Sequence, residues 1–133
     1  MKKLRVLIAE DHEISRALVV TLVSSECHVV GDVADGEQLV EAARRLKPDV
    51  IVSDIMMPVM DGFSARGELT SLGLHIPFVF VTVMRIDELL SGAAVAGVGY
   101  VHKSDLVGEL ILAIREVSRN QSYVSRSFRR DPD

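Results

Sequence analysis

The chain has 133 residues, of which 48% are hydrophobic and 26% charged, and its formal net charge is −4 at pH 7. This length suits one compact domain with a real core, no apolar run approaches the roughly 18 residues that a membrane span needs, and the net acidity argues against a nucleic-acid binder. The single cysteine, Cys27, excludes an internal disulfide and favours a reducing compartment, so the expected location is cytoplasmic.

Strand-like and helix-like segments alternate along the first part of the chain. Apolar runs predict strands, and apolar residues at i, i+3 and i+4 predict helices with one buried face. Asp35 and Gly36 are interpreted as a turn, and Pro48 as the end of a helix. The predicted elements are, in order, strand 4–9, helix 14–22, strand 27–33, helix 39–46 and strand 50–53.

The same alternation continues to residue 120. Gly67 weakens one helix by about 1 kcal/mol relative to Ala, Pro77 is tolerated at the start of a strand, and Asn120 suits a left-handed helix stop. The predicted elements are helix 63–72, strand 76–82, helix 86–94, strand 98–102 and helix 107–117. Residues 1–120 are therefore expected to form one domain, with residues 121–133 as a C-terminal tail or interdomain linker.

Five strands alternating with five helices predict an α/β fold, a doubly wound parallel sheet with helices on both faces. In such sheets, sites lie at the carboxyl ends of the strands. Polar residues stand at four of these ends: Glu10 and Asp11 after strand one, Asp54 after strand three, Thr82 ending strand four and Lys103 after strand five. We expect these side chains to converge on one edge of the sheet.

The expected cluster suits phosphoryl transfer. Glu10, Asp11 and Asp54 would repel one another unless a cation neutralised them, and Mg²⁺ is a hard cation that binds through a few carboxylates plus a phosphate. The Lys103 ammonium and the Thr82 hydroxyl could stabilise the oxygens of the transferring group. Asp54 would then be the nucleophile that forms an acyl phosphate.

Each residue also has a purely structural explanation. Asp54 could begin a turn, and Asp11 could cap the following helix, which would stabilise that helix by about 1 kcal/mol. Thr82 is an ordinary strand residue, Lys103 could be solvated, and Tyr100 could belong to the core. These explanations are independent of one another, whereas the functional hypothesis accounts for the order of all the strand ends together.

Over residues 4–120 the chain resembles the receiver domain of bacterial two-component response regulators. The matching motifs are the acidic pair Glu10-Asp11, Asp54 with the loop through Pro58 to Asp61-Gly62, Thr82 ending strand four, Tyr100, and Lys103. The resemblance implies a flavodoxin-like strand order 2-1-3-4-5. It is strongest to the NarL/FixJ-like subfamily, whose receivers are usually fused to a LuxR-type helix-turn-helix DNA-binding domain.

The resemblance also implies roles for the site residues. Asp54 would accept a phosphoryl group from a sensor histidine kinase or a phosphotransfer protein. Mg²⁺, or Mn²⁺ in its place, would be held by Asp54, by Asp11 directly, by Glu10 through water and by the backbone carbonyl of Met56. Met56 would also flank the approach of water together with Met84, which predicts slow self-dephosphorylation.

A phosphorylation switch is the implied output. Thr82 and Lys103 would grip the phosphoryl oxygens, and Tyr100 would rotate inward as Thr82 moves. The readout surface would be the fourth predicted helix, the fifth strand and the fifth helix. The chain would be a switch with self-phosphorylation and self-dephosphorylation only, not an enzyme, and would regulate transcription through a DNA-binding domain outside this sequence, with homodimerisation on phosphorylation.

Alternative functions are weighed against this one. A stand-alone regulator would signal by protein–protein contact. A phosphohydrolase of the haloacid-dehalogenase type generally has a second acid two residues after its nucleophile, where this chain has Met56. A flavin or nucleotide carrier would cradle phosphate in a glycine- or hydroxyl-rich loop, whereas the loop after strand one holds Glu10, Asp11 and Glu13, which would repel it.

Overall fold

The computed structural model describes residues 3–85 and 94–129. Its centre is a parallel sheet of six strands in the order β2-β1-β3-β4-β5-β6. The strands are β1 (Arg5–Ala9), β2 (His28–Val33), β3 (Val50–Asp54), β4 (Phe78–Thr82), β5 (Val98–His102) and β6 (Tyr123–Val124). The predicted flavodoxin-like order of the first five strands is confirmed, and a sixth strand extends the sheet beyond β5.

Helices cover both faces of the sheet, as predicted. The described helices are α1 (Glu13–Ser24), α2 (Gly36–Leu46), α3 (Gly62–Ser71) and α4 (Leu106–Ser118). One apolar core lies between the sheet and the pair α1 and α4, and a second lies between the sheet and the pair α2 and α3. The helix predicted over residues 86–94 falls on residues 86–93, which lie outside the described residues.

Local side-chain chemistry sets the helix ends. The Asp35 carboxylate accepts a hydrogen bond of 2.8 Å from the Gln38 amide, so Asp35 is the N-cap of α2 and the predicted turn at Asp35-Gly36 is instead the start of the helix. Lys47, in the left-handed region with φ 47°, ends α2 directly before Pro48. Asn120 has φ 63°, which confirms the predicted left-handed stop.

The C-terminal segment is more ordered than its sequence suggests. Tyr123 and Val124 pair with Gly99 and Tyr100 of β5, and a 3₁₀ turn over Arg126–Phe128 follows. A two-residue strand is too short for an alternating pattern to be recognised in the sequence. The division of the chain at residue 120 stays a prediction, but residues 123–128 are packed against the sheet.

Helix length also bears on membrane insertion. Among the residues that the structure describes, no helix is both long and apolar enough to cross a bilayer.

Candidate functional site

The carboxyl ends of the central strands carry the predicted site residues. Glu10 and Asp11 follow β1, Asp54 is the last residue of β3, Thr82 is the last residue of β4, and Lys103 follows β5 directly. Parallel pairing aligns these ends, since Ala9 lies beside Ser53 and Asp54 lies beside Val81 in the register. The sheet therefore gathers these residues at one edge.

A single ammonium joins two of the acids. Lys103 Nζ donates a hydrogen bond of 2.9 Å to Asp54 Oδ2 and a second one to Glu10 Oε1. Glu10 and Asp54 are buried, being 1% and 6% exposed. Lys103 thus holds two carboxylates that would otherwise repel each other inside the protein.

Burial and pairing shift the pKa values of this group. Burial raises the pKa of the Glu10 carboxyl, and the nearby Asp54 carboxylate adds to the rise, which the Lys103 hydrogen bond opposes only in part. Burial alone would lower the pKa of Lys103, but its hydrogen bonds to Asp54 and Glu10 outweigh burial and raise it. The ammonium is therefore held firmly in its charged form.

The three acids also form a candidate cation site. Glu10, Asp11 and Asp54 each place a carboxylate oxygen so that these atoms lie within 4.8 Å of one another. Glu10 Oε2 and Asp11 Oδ1 are buried and have no hydrogen-bond partner among the described residues. Buried oxygens of this kind need a partner, and clustered carboxylates are the ligands that Mg²⁺ prefers, so the residues present fit a divalent cation.

The structure argues against the capping explanation for Asp11. The N-cap of α1 is His12, and its side chain makes no capping hydrogen bond. The unpaired Asp11 oxygen is therefore free to serve the acidic cluster.

The loop after Asp54 is folded tightly back onto β3. The Met56 amide donates to Asp54 Oδ1 at 3.2 Å, and the Gly62 amide donates to the Ile55 carbonyl oxygen at 2.8 Å. A Cβ atom built on Gly62 would lie only 2.3 Å from the Asp54 carbonyl oxygen, so a larger residue would push the loop away. The metal role of the Met56 carbonyl stays a prediction.

A strained turn shapes the same loop. Val59 has φ 72°, and the Met60 amide donates to the Pro58 carbonyl oxygen at 2.8 Å, which makes a three-residue γ-turn. A β-branched residue in this region is strained. The turn brings Met60 so close to α2 that a Cβ on Gly36 would lie 2.0 Å from the Met60 carbonyl oxygen.

The two predicted switch residues lie on the neighbouring strands β4 and β5. Thr82 is buried, and its hydroxyl oxygen accepts a hydrogen bond of 3.0 Å from the Met84 amide. Tyr100 is half-buried, and its ring stacks on Phe80 with a centroid separation of 5.7 Å. Burial raises the pKa of the Tyr100 hydroxyl.

The His102 ring connects the end of β5 to the loop after β4, a role that the sequence did not predict. Its Nδ1 accepts a hydrogen bond of 3.1 Å from the Ser104 amide, so the neutral ring carries its proton on Nε2 and donates to the Val83 carbonyl oxygen at 3.1 Å. His102 lies directly beside Thr82 in the register. A lone histidine in the sequence gives no signal for such a role.

Comparisons with known sequences agree with the resemblance to response regulator receiver domains. A family model described as the response regulator receiver domain matches residues 6–115. The chain is 34% identical over 125 residues to the response regulator GacA of Pseudomonas viridiflava, covering 92% of this chain and 58% of that protein. It is 36% identical over 112 residues to the transcriptional regulatory protein PdtaR of Mycobacterium tuberculosis, covering 83% and 54%. The chain thus spans little more than half the length of these relatives.

Solved structures share the architecture. The signal receiver domain of the response regulator NarL from Mycobacterium tuberculosis superposes with a TM-score of 0.78 at 26% identity, covering 91% of this chain and all of that one. A LuxR-family two-component response regulator from an Aurantimonas species superposes with a TM-score of 0.84 at 23% identity, covering 96% and 93%. The second likeness concerns the fold alone.

Proposed function

The chain belongs to the response regulator receiver domain family, and from this premise we propose that Asp54 accepts a phosphoryl group from a sensor histidine kinase or a phosphotransfer protein. Its relatives place it in the NarL/FixJ-like subfamily. The observation that carries the proposal is the Lys103 ammonium, which bonds both Asp54 and Glu10. Beside it lie two buried carboxylate oxygens that have no partner in the part of the chain that the structure describes.

The transfer itself requires one nucleophile and neutralised charge. An Asp54 carboxylate oxygen forms a bond to phosphorus while the bond from phosphorus to the donor nitrogen breaks, and the departing imidazole takes up a proton. Lys103, already charged and hydrogen-bonded to Asp54, counters the negative charge of the incoming group.

The acidic cluster is proposed as a Mg²⁺ site, which Mn²⁺ could also fill. Glu10, Asp11, Asp54 and the Met56 backbone carbonyl would hold the ion. When bound, it supplies positive charge beside the oxygens of the transferring phosphoryl group. The unpartnered oxygens of Glu10 and Asp11 support this assignment.

The switch is proposed to begin at Thr82. Its hydroxyl now accepts the Met84 amide within its own loop, and a phosphoryl group on Asp54 would offer it a charged acceptor. Movement of Thr82 would let Tyr100 turn inward and would shift the population between two packings of the surface that includes β5 and α4. The helix predicted over residues 86–94 would complete that surface.

Docking of a protein donor is supported by apolar exposure around the site. Large apolar side chains lie exposed on the elements that surround the strand ends, at Ile14, Met56, Val59, Val83 and Val107. They belong to α1, to the loops after β3 and β4, and to the first turn of α4, which are the segments that follow the strand ends. We propose these exposed apolar side chains as the contact surface for the protein donor.

Transcriptional control is the proposed output. PdtaR carries the name of a transcriptional regulatory protein, and a DNA-binding domain joined to this receiver would supply contact with DNA. Phosphorylation would act on that domain through the β5 and α4 surface and through homodimerisation. A stand-alone regulator that signals by protein contact is the alternative.

The test is labelling by a small phosphodonor. We expect acetyl phosphate with Mg²⁺ to add one phosphoryl group, detected by intact-protein mass spectrometry. Asp54→Asn should abolish the label, and removal of Mg²⁺ by a chelator should suppress it. Asp61→Asn is the matched control, because Asn also caps a helix well and should keep α3 intact. Undiminished labelling of Asp54→Asn would refute the proposal.

A further inference from the structure

The C-terminal strap, residues 123–129, is fastened to the start of α4 by two carboxylates. Asp105 Oδ2 accepts hydrogen bonds from the Ser125 hydroxyl at 2.7 Å and from the Ser127 amide at 2.9 Å, and Oδ1 accepts the Ser127 hydroxyl at 2.9 Å. Burial raises the pKa of Asp105, but these hydrogen bonds outweigh burial and hold the pKa below its usual value. Asp105 therefore stays charged at neutral pH and able to accept all three.

Glu109 makes the second attachment, one helical turn later. Its carboxylate accepts the Tyr123 hydroxyl at 2.6 Å, the Arg126 amide at 3.0 Å and the Arg129 guanidinium at 3.1 Å. Asp105 lies directly before α4 and Glu109 lies in its first turn. The buried face of α4 is packed into the core, so the two residues give the strap a fixed base.

The strap also touches the loop that follows Thr82. Arg85 donates a hydrogen bond of 3.0 Å to the Ser127 carbonyl oxygen, and its guanidinium carbon lies 5.4 Å from the centroid of the Phe128 ring. Phe128 is 8% exposed and is packed against the sheet. The strap therefore contacts the segment that the proposed switch would move.

His102 adds a second connection between the loop and the strap. Its amide donates to the Ser125 hydroxyl oxygen at 2.9 Å, its ring lies 5.5 Å from the Phe128 ring in an edge arrangement, and its Nε2 bonds the Val83 carbonyl oxygen. One side chain thus contacts both the residue after Thr82 and the strap.

We propose that the strap is a latch on the β5 edge, which phosphorylation of Asp54 releases by drawing the Thr82 loop away from His102 and Ser127. This inference rests on the proposed function and adds to it the segment that responds. The contacts to Asp105 and Glu109, at the start of α4, stay in place. The contact of Arg85 with Ser127 and that of Val83 with His102 belong to the moving loop. The strap loses its loop contacts, so its attachment weakens without the domain unfolding.

Thermodynamic linkage requires phosphorylation and strap attachment to affect each other equally. If phosphorylation weakens the latch, a weakened latch favours the phosphorylated state to the same extent. A variant with a loosened strap should therefore hold more phosphoryl groups at a limiting donor concentration than the wild type does.

Amide hydrogen exchange of the whole chain tests the latch. Protein labelled by acetyl phosphate, with the label confirmed by mass, is compared with unlabelled protein at the amides of Ser125, Arg126 and Ser127. We expect exchange at these amides to become at least about tenfold faster on labelling. Labelled protein whose strap exchanges as slowly as before, while the Met84 amide changes, would overturn the latch and leave the proposed function standing; absence of labelling would overturn both.

Two variants make the test specific. Asp105→Asn and Ser127→Ala should each exchange quickly at the strap before labelling, respond little to it, and show raised steady-state labelling. Asp49→Asn is the matched control, because Asp49 also accepts a backbone amide, that of Arg5, but far from the strap. If both latch variants label and exchange like Asp49→Asn, the proposal is wrong.

Discussion

Lys103 Nζ lies 2.9 Å from Asp54 Oδ2 and bonds the buried Glu10 carboxylate as well. One ammonium therefore compensates two acids from different strands, and it is only 15% exposed at its side chain. Removal of this cation should affect both the stability of the domain and its response to phosphorylation, and the two effects can be measured separately.

Lys103→Met should destabilise the domain in metal-free buffer. The substitution leaves Glu10 and Asp54 buried without their cation, and breaking such a pair costs about 3 kcal/mol in the free energy of unfolding. Urea denaturation measures the loss, and added Mg²⁺ should restore part of it. Lys3→Met, at an exposed lysine, is the control. Equal stability of Lys103→Met and wild type would contradict the compensating role.

Lys103→Ala should separate labelling from its consequence. Asp54 remains as the nucleophile, so labelling at high donor concentration should persist, but the phosphoryl oxygens lose their ammonium partner. We expect the NMR signals of Thr82 and Tyr100 to change on labelling in the wild type and to stay nearly unchanged in the variant. A full response in labelled Lys103→Ala would show that the ammonium is not required for the switch.

Val59→Gly should stabilise the domain. Relief of the left-handed conformation gains about 1–2 kcal/mol, and the extra backbone entropy of glycine takes back about half of that, which leaves roughly 0.5–1 kcal/mol. Thermal and urea denaturation measure the difference. Val107→Gly is the control: Val107 is also an exposed valine, in α4, where glycine should instead destabilise by roughly 0.5 kcal/mol, because valine is itself a weak helix former. Destabilisation by Val59→Gly would show that the γ-turn is unstrained.

The ionisation of Tyr123 should report on the strap. Burial, followed by the hydrogen bond to Glu109, raises the pKa of Tyr123 to about 12 from an ordinary 10.0. Because the folded pKa is the higher one, the stabilisation from this bond, about 1 kcal/mol, is complete below pH 10 and is lost as the pH rises through 12. Tyrosinate absorbance measured against pH should rise in a step near pH 12. The variant Tyr123→Phe should lack this step, and the variant Tyr100→Phe should keep it. A late step that survives in Tyr123→Phe would contradict the assignment.

Self-dephosphorylation should be slow. Met56 and Met84 are 61% and 42% exposed, and their amides bond Asp54 and Thr82. We expect their apolar side chains to flank the path of an attacking water. The label should persist far longer than seconds in Mg²⁺ buffer. Met84→Gln should shorten its half-life roughly tenfold, equivalent to about 1.4 kcal/mol in the barrier, whereas Leu72→Gln, at the exposed C-terminal end of α3, should not. Decay of the wild type within seconds would refute the prediction.

The sequence predicted the convergence of Glu10, Asp54 and Lys103 because apolar runs mark where parallel strands end. It did not predict the strap, since Tyr123 and Val124 form a strand too short for periodicity and its attachments are long-range hydrogen bonds. The N-cap role of Asp35 was missed for a related reason, because Asp-Gly pairs occur both in turns and at helix starts.

The sixth strand also affects how copies of this chain meet. β5 is a five-residue, largely apolar strand, and without a neighbour its outer edge would offer unpaired amides and carbonyls to another molecule. The two-residue β6 covers that edge at Gly99 and Tyr100 with a very short strand, which the exposed Arg126 follows closely. Protein shortened before residue 123 would therefore lose its protection against edge-to-edge aggregation, and any partner that adds a strand to β5 must first displace the chain's own.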